Sequence, residues 1–565
     1  MVDRRFQVLF WLAPLVHIFL YSFHGFADND HGFITALSWR IVNGELPYRD
    51  FIYIRPPLSP LLHAIPILIL PDQIEYAVIR TTPFWMLAIV AWLLAKTLNE
   101  FYPLARFRIP IHAFALVAYL LSIQHFPPYP WHTIDGLLFG SIGIWLIVRH
   151  DRPWIVALAM VCLFLSALTK QSFYPVPLLG VIYLLLIKGW RPALLGTAVL
   201  GGLAGLFFAI MQMIGILTPF IAQVTGATNM GDLHLVGVKT YALYSQGFLV
   251  VTSLAIFAIL NWLIRFTGKR PIDPAWAAIF FVTLFFISWS YLTYKAGMDE
   301  LSPHTILPPY SFSQILLLLG LWICLDQFHD HRQLAVGLGI LLGTAWCSSI
   351  SWGYSNPLIA SGPLLFCLFY FLKEKVKTER MIPALLGVVL FGAMINNHIL
   401  RLFPFEDAPR HRLVYNLGKV FPKLSHVYTN ERRFAKHREL KSLIDKHGDR
   451  FTVLPSMTLA NYATDTVNPA RIDWAQNIEL NYEWEPPSLA LDASNATVFI
   501  DKDHFPIEKA ERHRSLTPRH PTARRSATRM SRMTYHVYKN WDLIEQGQYL
   551  DVYRPTLGLF TPGSD

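Results

Sequence analysis

A polytopic α-helical membrane protein with a C-terminal mixed α/β extracytoplasmic domain is the fold class that this sequence predicts, on three observations. Of 565 residues, 53% are hydrophobic and 15% are charged, whereas soluble globular chains carry roughly 25% charged residues; water is not the main solvent. Apolar runs as long as a bilayer crossing requires, about 17 to 25 residues, recur from residue 6 to residue 397. Nearly all the remaining polarity follows residue 400, which divides the chain into a membrane part, 1–400, and a polar domain, 401–565.

The first apolar run starts after Met-Val-Asp-Arg-Arg, is long and lacks a small-residue cleavage site, so it reads as a retained first helix and not a signal peptide. Candidate spans are 6–24, 79–98, 109–124, 135–149, 153–169, 175–188, 194–214, 245–265, 274–294, 309–325, 334–350, 358–373 and 381–398, about thirteen in all. Arg4 and Arg5, Arg106 and Arg108, Arg149 and Arg152, Lys188 and Arg191, Arg265 with Lys269 and Arg270, and Lys373, Lys375, Lys377 and Arg380 occupy alternate short loops. Cytoplasmic loops concentrate such residues, so the N-terminus is expected in the cytoplasm. The opposite loops, 25–78, 125–134, 170–174, 215–244, 295–308 and 351–357, and the region after about 399, are then external. An odd number of spans agrees with this.

Residues 25–78 are too long for a plain connection. Phe33, Ile34, Leu37, Ile41 and Val42 recur at helical spacing, and Leu58 to Leu70 is an apolar stretch opened by Pro56-Pro57; both predict helices lying on the outer membrane surface. Beyond residue 400, FTVLP at 451–455, ATVFID at 496–501 and YLDVYR at 549–554 are strand-like, and the charged run 430–447 is helix-like. Residues 508–532 hold Lys509, Arg512, Arg514, Arg519, Arg524, Arg525, Arg529 and Arg532 among Ser, Thr and Pro, the composition of a solvated basic loop. Cys162, Cys324, Cys347 and Cys367 all sit in apolar runs, so none staples the polar domain. The net charge of +10 suits anionic lipid or nucleic acid, and the membrane context favours lipid; no nucleic-acid partner is expected.

Charges at the boundary of an apolar zone are costly and are the first functional suspects. Asp28 and Asp30 flank Asn29 after the first span, Arg55 precedes Pro56-Pro57, Asp135 opens the fourth span and Lys170 ends the fifth. The expected topology gathers them on one side of the membrane. Each has a plainer role: Asp30 and Asp135 as helix N-caps, Arg55 and Lys170 as basic chains reaching for headgroups. Together they suit a reaction on a phosphate-bearing lipid, where a cation holds the phosphate and a carboxylate takes a proton from an attacking hydroxyl. Neither a Walker pattern nor a dinucleotide fingerprint is present.

The stretch DHGFITALSWRIVNGELPYRDFIYIRPPL, residues 30–58, resembles the first external loop of the GT-C superfamily of polyprenyl-phosphate-sugar-dependent glycosyltransferases. That superfamily contains protein O-mannosyltransferases and the bacterial aminoarabinose and related lipid-A or polysaccharide transferases. Such loops read as an acidic pair and a Gly, a short helix, a Gly-x-x-Pro-Tyr-x-Asp-Phe turn, then a basic residue before Pro-Pro-Leu. The matches are Asp30, Gly32, Gly44, Pro47, Tyr48, Asp50, Phe51, Arg55, Pro56, Pro57 and Leu58. HTIDGLLF at 132–139 looks like the family's second external acidic position, and LTKQSF at 168–173 looks like its lysine. One departure is His31, which stands where many members have a second acid, with an additional acid at Asp28. This leaves open which of Asp28 and Asp30 acts, although the spacing to Gly32 and Gly44 favours Asp30.

The resemblance implies a GT-C fold and an inverting transfer of a sugar from a polyprenyl-phosphate donor to lipid A, a glycolipid, a polysaccharide or a protein. It places the reaction on the periplasmic face of a bacterial inner membrane. It implies Asp30 as general base, Asp135 assisting, Arg55 and Lys170 on the donor phosphate, and Gly32, Gly44, Pro47, Tyr48, Asp50, Pro56 and Pro57 shaping the loop. The expected partners are the lipid-linked sugar donor, an envelope glycoconjugate acceptor and membrane lipids. The sequence fixes no cofactor; a divalent metal is a candidate, since Asp28, Asp30, His31, His132 and Asp135 include usable ligands, but no spacing defines a site. The rival classes are a lipid-sugar flippase, an oligosaccharide ligase or polymerase with a diphosphate-linked donor, and a membrane anchor for a binding domain. The suspects at helix ends, and the lack of an internal repeat, argue against a transporter.

Overall fold

The computed structural model describes residues 2–124, 126, 128–226, 274–298, 308–350, 357–374, 379–404, 406–476, 479–480, 485–505 and 532–556. Its helices are, in order, α1 Val2–Tyr21, α2 Phe33–Val42, α3 Leu58–Ile69, α4 Asp72–Ile79, α5 Thr82–Phe101, α6 Ile111–Ile123, α7 His132–Arg149, α8 Pro153–Ala167, α9 Pro175–Tyr183, α10 Trp190–Met213 and α11 Leu217–Gly226. Helices Pro274–Met298, Pro308–Asp326, Arg332–Ser349, Ser361–Glu374 and Ile382–Leu402 follow. Every predicted span is helical except 245–265, which lies outside the described residues, as does the basic run 508–532 up to Arg532, which opens a helix.

Among the described residues, five stretches are both long and apolar enough to cross a membrane by length and composition: Asp72–Phe101, His132–Arg149, Gln171–Lys188, Trp190–Met213 and Ile382–Leu402. Proline stands in the first turn of α5, α8 and α9, where its missing N–H is no loss. The bundle buries Phe84, Leu87 and Leu94 of α5, Phe114 and Ala118 of α6, and Leu137 and Ile144 of α7 in one core. Its outside carries exposed Phe19, Leu68, Trp190, Leu194 and Met213, an apolar surface suited to lipid and not to water.

Two expectations for the loop after α1 need correction. The helix over 33–42 does not lie on a surface with one wet face: Phe33 to Ser38 and Arg40 are all buried, because α3 covers one side and the C-terminal region the other. A further helix, α4, was hidden between the predicted elements. Pro71 in extended conformation breaks the chain after α3, and Asp72 and Glu75 then occupy the first turn of α4, where carboxylates favour a helix start.

Beyond the bundle, a four-stranded sheet has the order β3-β4-β6-β5, from β3 Phe451–Leu454, β4 Thr497–Asp501, β5 Trp541–Gln546 and β6 Leu550–Pro555. β3 and β4 are parallel; the β4–β6 and β6–β5 pairs are antiparallel. Val453, Phe499 and Val552 meet Leu440 and Ile444 of the helix Glu431–His447 on one face, and Leu454, Val498 and Ile500 meet Val537 on the other. Burial on both faces explains why β3 and β4 read as continuous apolar runs. β5 escaped sequence detection because it is an edge strand, mostly exposed after Trp541. The short pair β1 Tyr415–Asn416 with β2 Tyr428–Thr429 is too brief to leave a pattern. The four cysteines are free.

Candidate functional site

The loop between α1 and α3 is built by its turn residues. Gly44 sits at φ +85 and ends α2: its N–H donates to the Ile41 carbonyl at 3.0 Å and the Glu45 N–H to the Arg40 carbonyl at 3.0 Å, the paired bonds of a Schellman cap that glycine serves best. In the turn that follows, the Asp50 carboxylate accepts the Leu46 N–H at 2.8 Å. The Tyr48 hydroxyl donates to the Arg55 carbonyl at 2.8 Å. Pro57 is the N-cap of α3, and the Leu58 N–H donates to the Leu168 carbonyl at 3.0 Å. The Gln171 amide donates to the Ile54 carbonyl at 2.5 Å. These last two bonds bring Arg55 to the end of α8, beside Lys170.

The other end of the loop is clamped by the C-terminal region. Thr458 donates its N–H to the Asp28 carbonyl at 2.9 Å and its hydroxyl to the Asn29 carbonyl at 2.8 Å. Gly32 lies so close to this segment that a Cβ there would strike the Leu459 and Thr458 side chains. Arg40, buried, donates to Asp473 at 2.6 Å, to Glu45 at 2.8 Å and to the Ala470 carbonyl at 2.5 Å.

Asp28 and Asp30 part company here. The Asp28 carboxylate is fully buried, with Lys436 Nζ 2.6 Å from its Oδ2 and Arg433 Nε 3.5 Å away. Burial alone would raise its pKa, but Lys436, Arg433 and His437 outweigh it and hold the carboxyl well below the ordinary range. Asp30 stays partly exposed in a single 3-10 turn, Asp30–Gly32, whose cap is the Asn29 side chain. It does not cap α2, whose N-cap is Gly32. Desolvation by the surrounding walls, reinforced by the charges of Glu406 and Glu479 and opposed by Arg55, pushes the Asp30 carboxyl up to about 7.

Asp135 is no cap either: Trp131 holds that position without a side-chain bond. Instead Asp135 Oδ1 lies 3.1 Å from His63 Nε2 of α3, both buried, and its Oδ2 has no hydrogen-bond partner among the described residues. Lys170 does not reach for water; its ammonium donates to the Ile350 carbonyl at 2.7 Å, and burial, with the charge of Arg55, lowers its pKa to about 7. Arg55 forms a two-pronged ion pair with Glu479 and lies over the Phe33 ring at 5.3 Å. The His31 ring lies tilted against Tyr129 at 4.6 Å between ring centroids, and the His132 ring against Trp131 at 4.5 Å.

The sequence did not reveal His63, Glu406, Lys436 or Glu479. A lone histidine in an apolar helix was the one available signal, for His63; the other three are ordinary surface types that only folding brings to the loop.

Of the predicted ligands Asp28, Asp30, His31, His132 and Asp135, Asp28 alone falls in a group that could share an ion among the described residues. Among the described residues, the side chains close enough to share an ion are Asp28, Asp501 and His504, not Asp30, His31, His132 and Asp135. There Lys436 Nζ already sits 2.6 Å from Asp28 and 3.0 Å from Asp501, an ammonium where a cation would go.

Fold and site together define a multi-pass helical membrane protein whose clustered charges lie where a structured loop, the bundle ends and a C-terminal sheet meet. No family model matches the sequence, and no curated protein matches it. Among solved structures the chain is similar to ArnT from Cupriavidus metallidurans bound to undecaprenyl phosphate, at 11% identity over 99% of both chains with a TM-score of 0.45. It is also similar to the oligosaccharyltransferase AglB from Archaeoglobus fulgidus in complex with an inhibitory peptide and a dolichol-phosphate, at 12% identity over 88% of this chain and 70% of that one, with a TM-score of 0.44.

Proposed function

We propose that the protein is an inverting glycosyltransferase that moves a sugar from a polyprenyl-phosphate donor to a hydroxyl-bearing envelope acceptor on the outer face of its membrane. The observation that carries this reading is the gathering of one carboxylate, Asp30, and two cations, Arg55 and Lys170, within electrostatic reach of one another, burial pushing the Asp30 carboxyl up to about 7. A base works best with a pKa near the working pH, and cations aimed at a departing phosphate stabilise the charge that develops on it.

Asp30 takes the proton of the acceptor hydroxyl as its oxygen bonds to the anomeric carbon, on the face opposite the phosphate. The carbon–oxygen bond to the phosphate breaks, and the bonding pair leaves with the polyprenyl phosphate, whose charge Arg55 and Lys170 balance. Asp135, held by His63, orients the groups around the reacting centre. Asp28 is a structural anion that fixes the loop. The C-terminal region, 401–565, lies on the same outer face and brings Glu406 and Glu479 near Asp30, and the N-terminus lies in the cytoplasm.

The test is mass spectrometry of cell-surface glycolipids and polysaccharides from cells whose only copy is wild type or Asp30→Asn, at matched protein levels. Loss of one sugar from a glycoconjugate, with accumulation of its lipid-linked donor, supports the reading and identifies both substrates. Identical profiles would remove Asp30 from the mechanism and bring the flippase and anchor readings forward.

A further inference from the structure

Arg55 is engaged by both prongs: Nη1 lies 2.7 Å from Glu479 Oε2 and Nη2 2.7 Å from Glu479 Oε1. The two side chains are 16% and 7% exposed, so the pair is largely shielded from solvent. A guanidinium offers two such forks in its plane, end-on through Nη1 and Nη2 and side-on through Nε and Nη2, and each matches a carboxylate or a phosphate with two parallel bonds; Glu479 takes the end-on one. The Phe33 ring centroid lies 5.3 Å from the guanidinium carbon, and the Tyr48 hydroxyl holds the Arg55 backbone carbonyl. Glu479 comes from the C-terminal region, beside the buried Leu480, whose N–H donates to the Gln476 carbonyl at 3.0 Å.

Resting on the reading in which Arg55 takes the donor phosphate, we infer that Glu479 occupies the phosphate seat as a displaceable carboxylate, and that a polyprenyl phosphate binds by evicting it from Arg55. Two consequences make Glu479 a specificity-determining residue. Between turnovers it neutralises a guanidinium that would otherwise be buried without a counter-ion, a costly state. A lipid lacking paired anionic oxygens cannot replace it, because removing Glu479 without substituting an equivalent anion strands that cation. Polyprenols and neutral glycolipids are thereby refused, although their hydrocarbon chains are the same. The exchange also keeps one anion near Asp30, which now feels the charge of Glu479.

The experiment measures equilibrium binding of undecaprenyl phosphate, with undecaprenol as neutral control, to the full-length chain in lipid nanodiscs. Glu479→Gln should bind the phosphate about fivefold more tightly, the scale of one released ion pair, and should refuse undecaprenol less than wild type does, since its binding no longer strands a newly unpaired cation. The gain should vanish when Arg55→Gln is added, since the two residues act as one unit. A Glu479→Gln protein that binds the phosphate equally or more weakly overturns the inference. If wild type prefers the phosphate, and Arg55→Gln loses that preference while Glu479→Gln leaves affinity unaltered, the seat stands and the displaceable carboxylate falls alone. If wild type shows no preference for phosphate over alcohol, both fall. Should Glu479→Gln not fold, wild-type hydrogen exchange decides: amides 472–480 should exchange faster with undecaprenyl phosphate and not with undecaprenol, and unaltered exchange overturns the inference.

Discussion

Replacing Asp30 by Asn removes the group proposed as base, and a positioned base contributes about 10² to 10⁴ in rate. Transfer should fall by that factor while the thermal unfolding midpoint, read by tryptophan fluorescence, stays in place. Asp28→Asn should do the reverse. Removing one partner of a buried ion pair costs about 3 kcal/mol or more, and the loss should appear in the unfolding midpoint before it appears in turnover. The pH profile of kcat/KM tests the site from another direction. Asp30 gains its negative charge as pH rises past about 7, and Lys170 loses its positive charge over the same range, so the profile should be a narrow bell near neutrality. Lys170→Arg, which stays charged throughout, should keep the rising limb and lose the falling one; a bell that keeps both limbs would take Lys170 out of the site. From sequence, Asp28 and Asp30 are two acids around an asparagine. What separates them, Lys436 above one and Glu406 and Glu479 near the other, is supplied by residues far along the chain, so no local pattern marks it.

The helix Glu431–His447 shows the same limit for a whole element. Its charged run reads as helix-like and marks no buried face, yet it buries Lys436 and His437 and turns Arg433, Lys436 and His437 toward Asp28. Periodicity reports where apolar side chains go; it is silent when a helix buries its charges against fixed counter-ions. By contrast α2 and its Gly44 cap, the Pro57 start of α3, and strands β3, β4 and β6 were legible, because turn chemistry and doubly buried strands leave local marks. The contact has a pH window. Asp28 and Asp501 are held below the ordinary carboxylate range, against burial, by Lys436 and its neighbours, so their contribution is full above about pH 5 and fades as pH falls through their depressed folded values. His504 is raised because Asp501 outweighs the effect of burial; its contribution is full below about 6.5 and is lost as pH rises through its folded value. His437, on the same helix, works the other way: burial lowers its pKa, so its contribution is full above about 6.5 and fades as pH falls. Hydrogen exchange of residues 431–447, corrected for intrinsic rates, should therefore be faster below about pH 5 than at 6.5, and faster again as pH rises through the folded value of His504; no acceleration on the alkaline side would mean that His504 does not take part.

Across the whole molecule, the loop that follows α1 is held at two unlike anchors. One end is tied to the bundle through Leu58 and Gln171; the other is tied to the C-terminal region through Thr458 and Arg40. A chain ending at residue 404 would lose Asp473 and the Ala470 carbonyl from Arg40 and leave that guanidinium with Glu45 alone. Limited proteolysis should then cut within residues 25–57, which the intact protein protects, and transfer should be absent even with the bundle inserted. Protection of that segment in the shortened chain would show that the bundle orders it unaided. The arrangement also sets a timetable on the ribosome. Asp30 is among the first residues to be made, but the segment bearing Thr458 leaves β3, β3 pairs with β4, and β4 needs β6 at residues 550–555 on its other side. The loop must wait through the insertion of every intervening helix before its second anchor exists, so a nascent or prematurely terminated chain reaches the membrane with the loop still untied at that end.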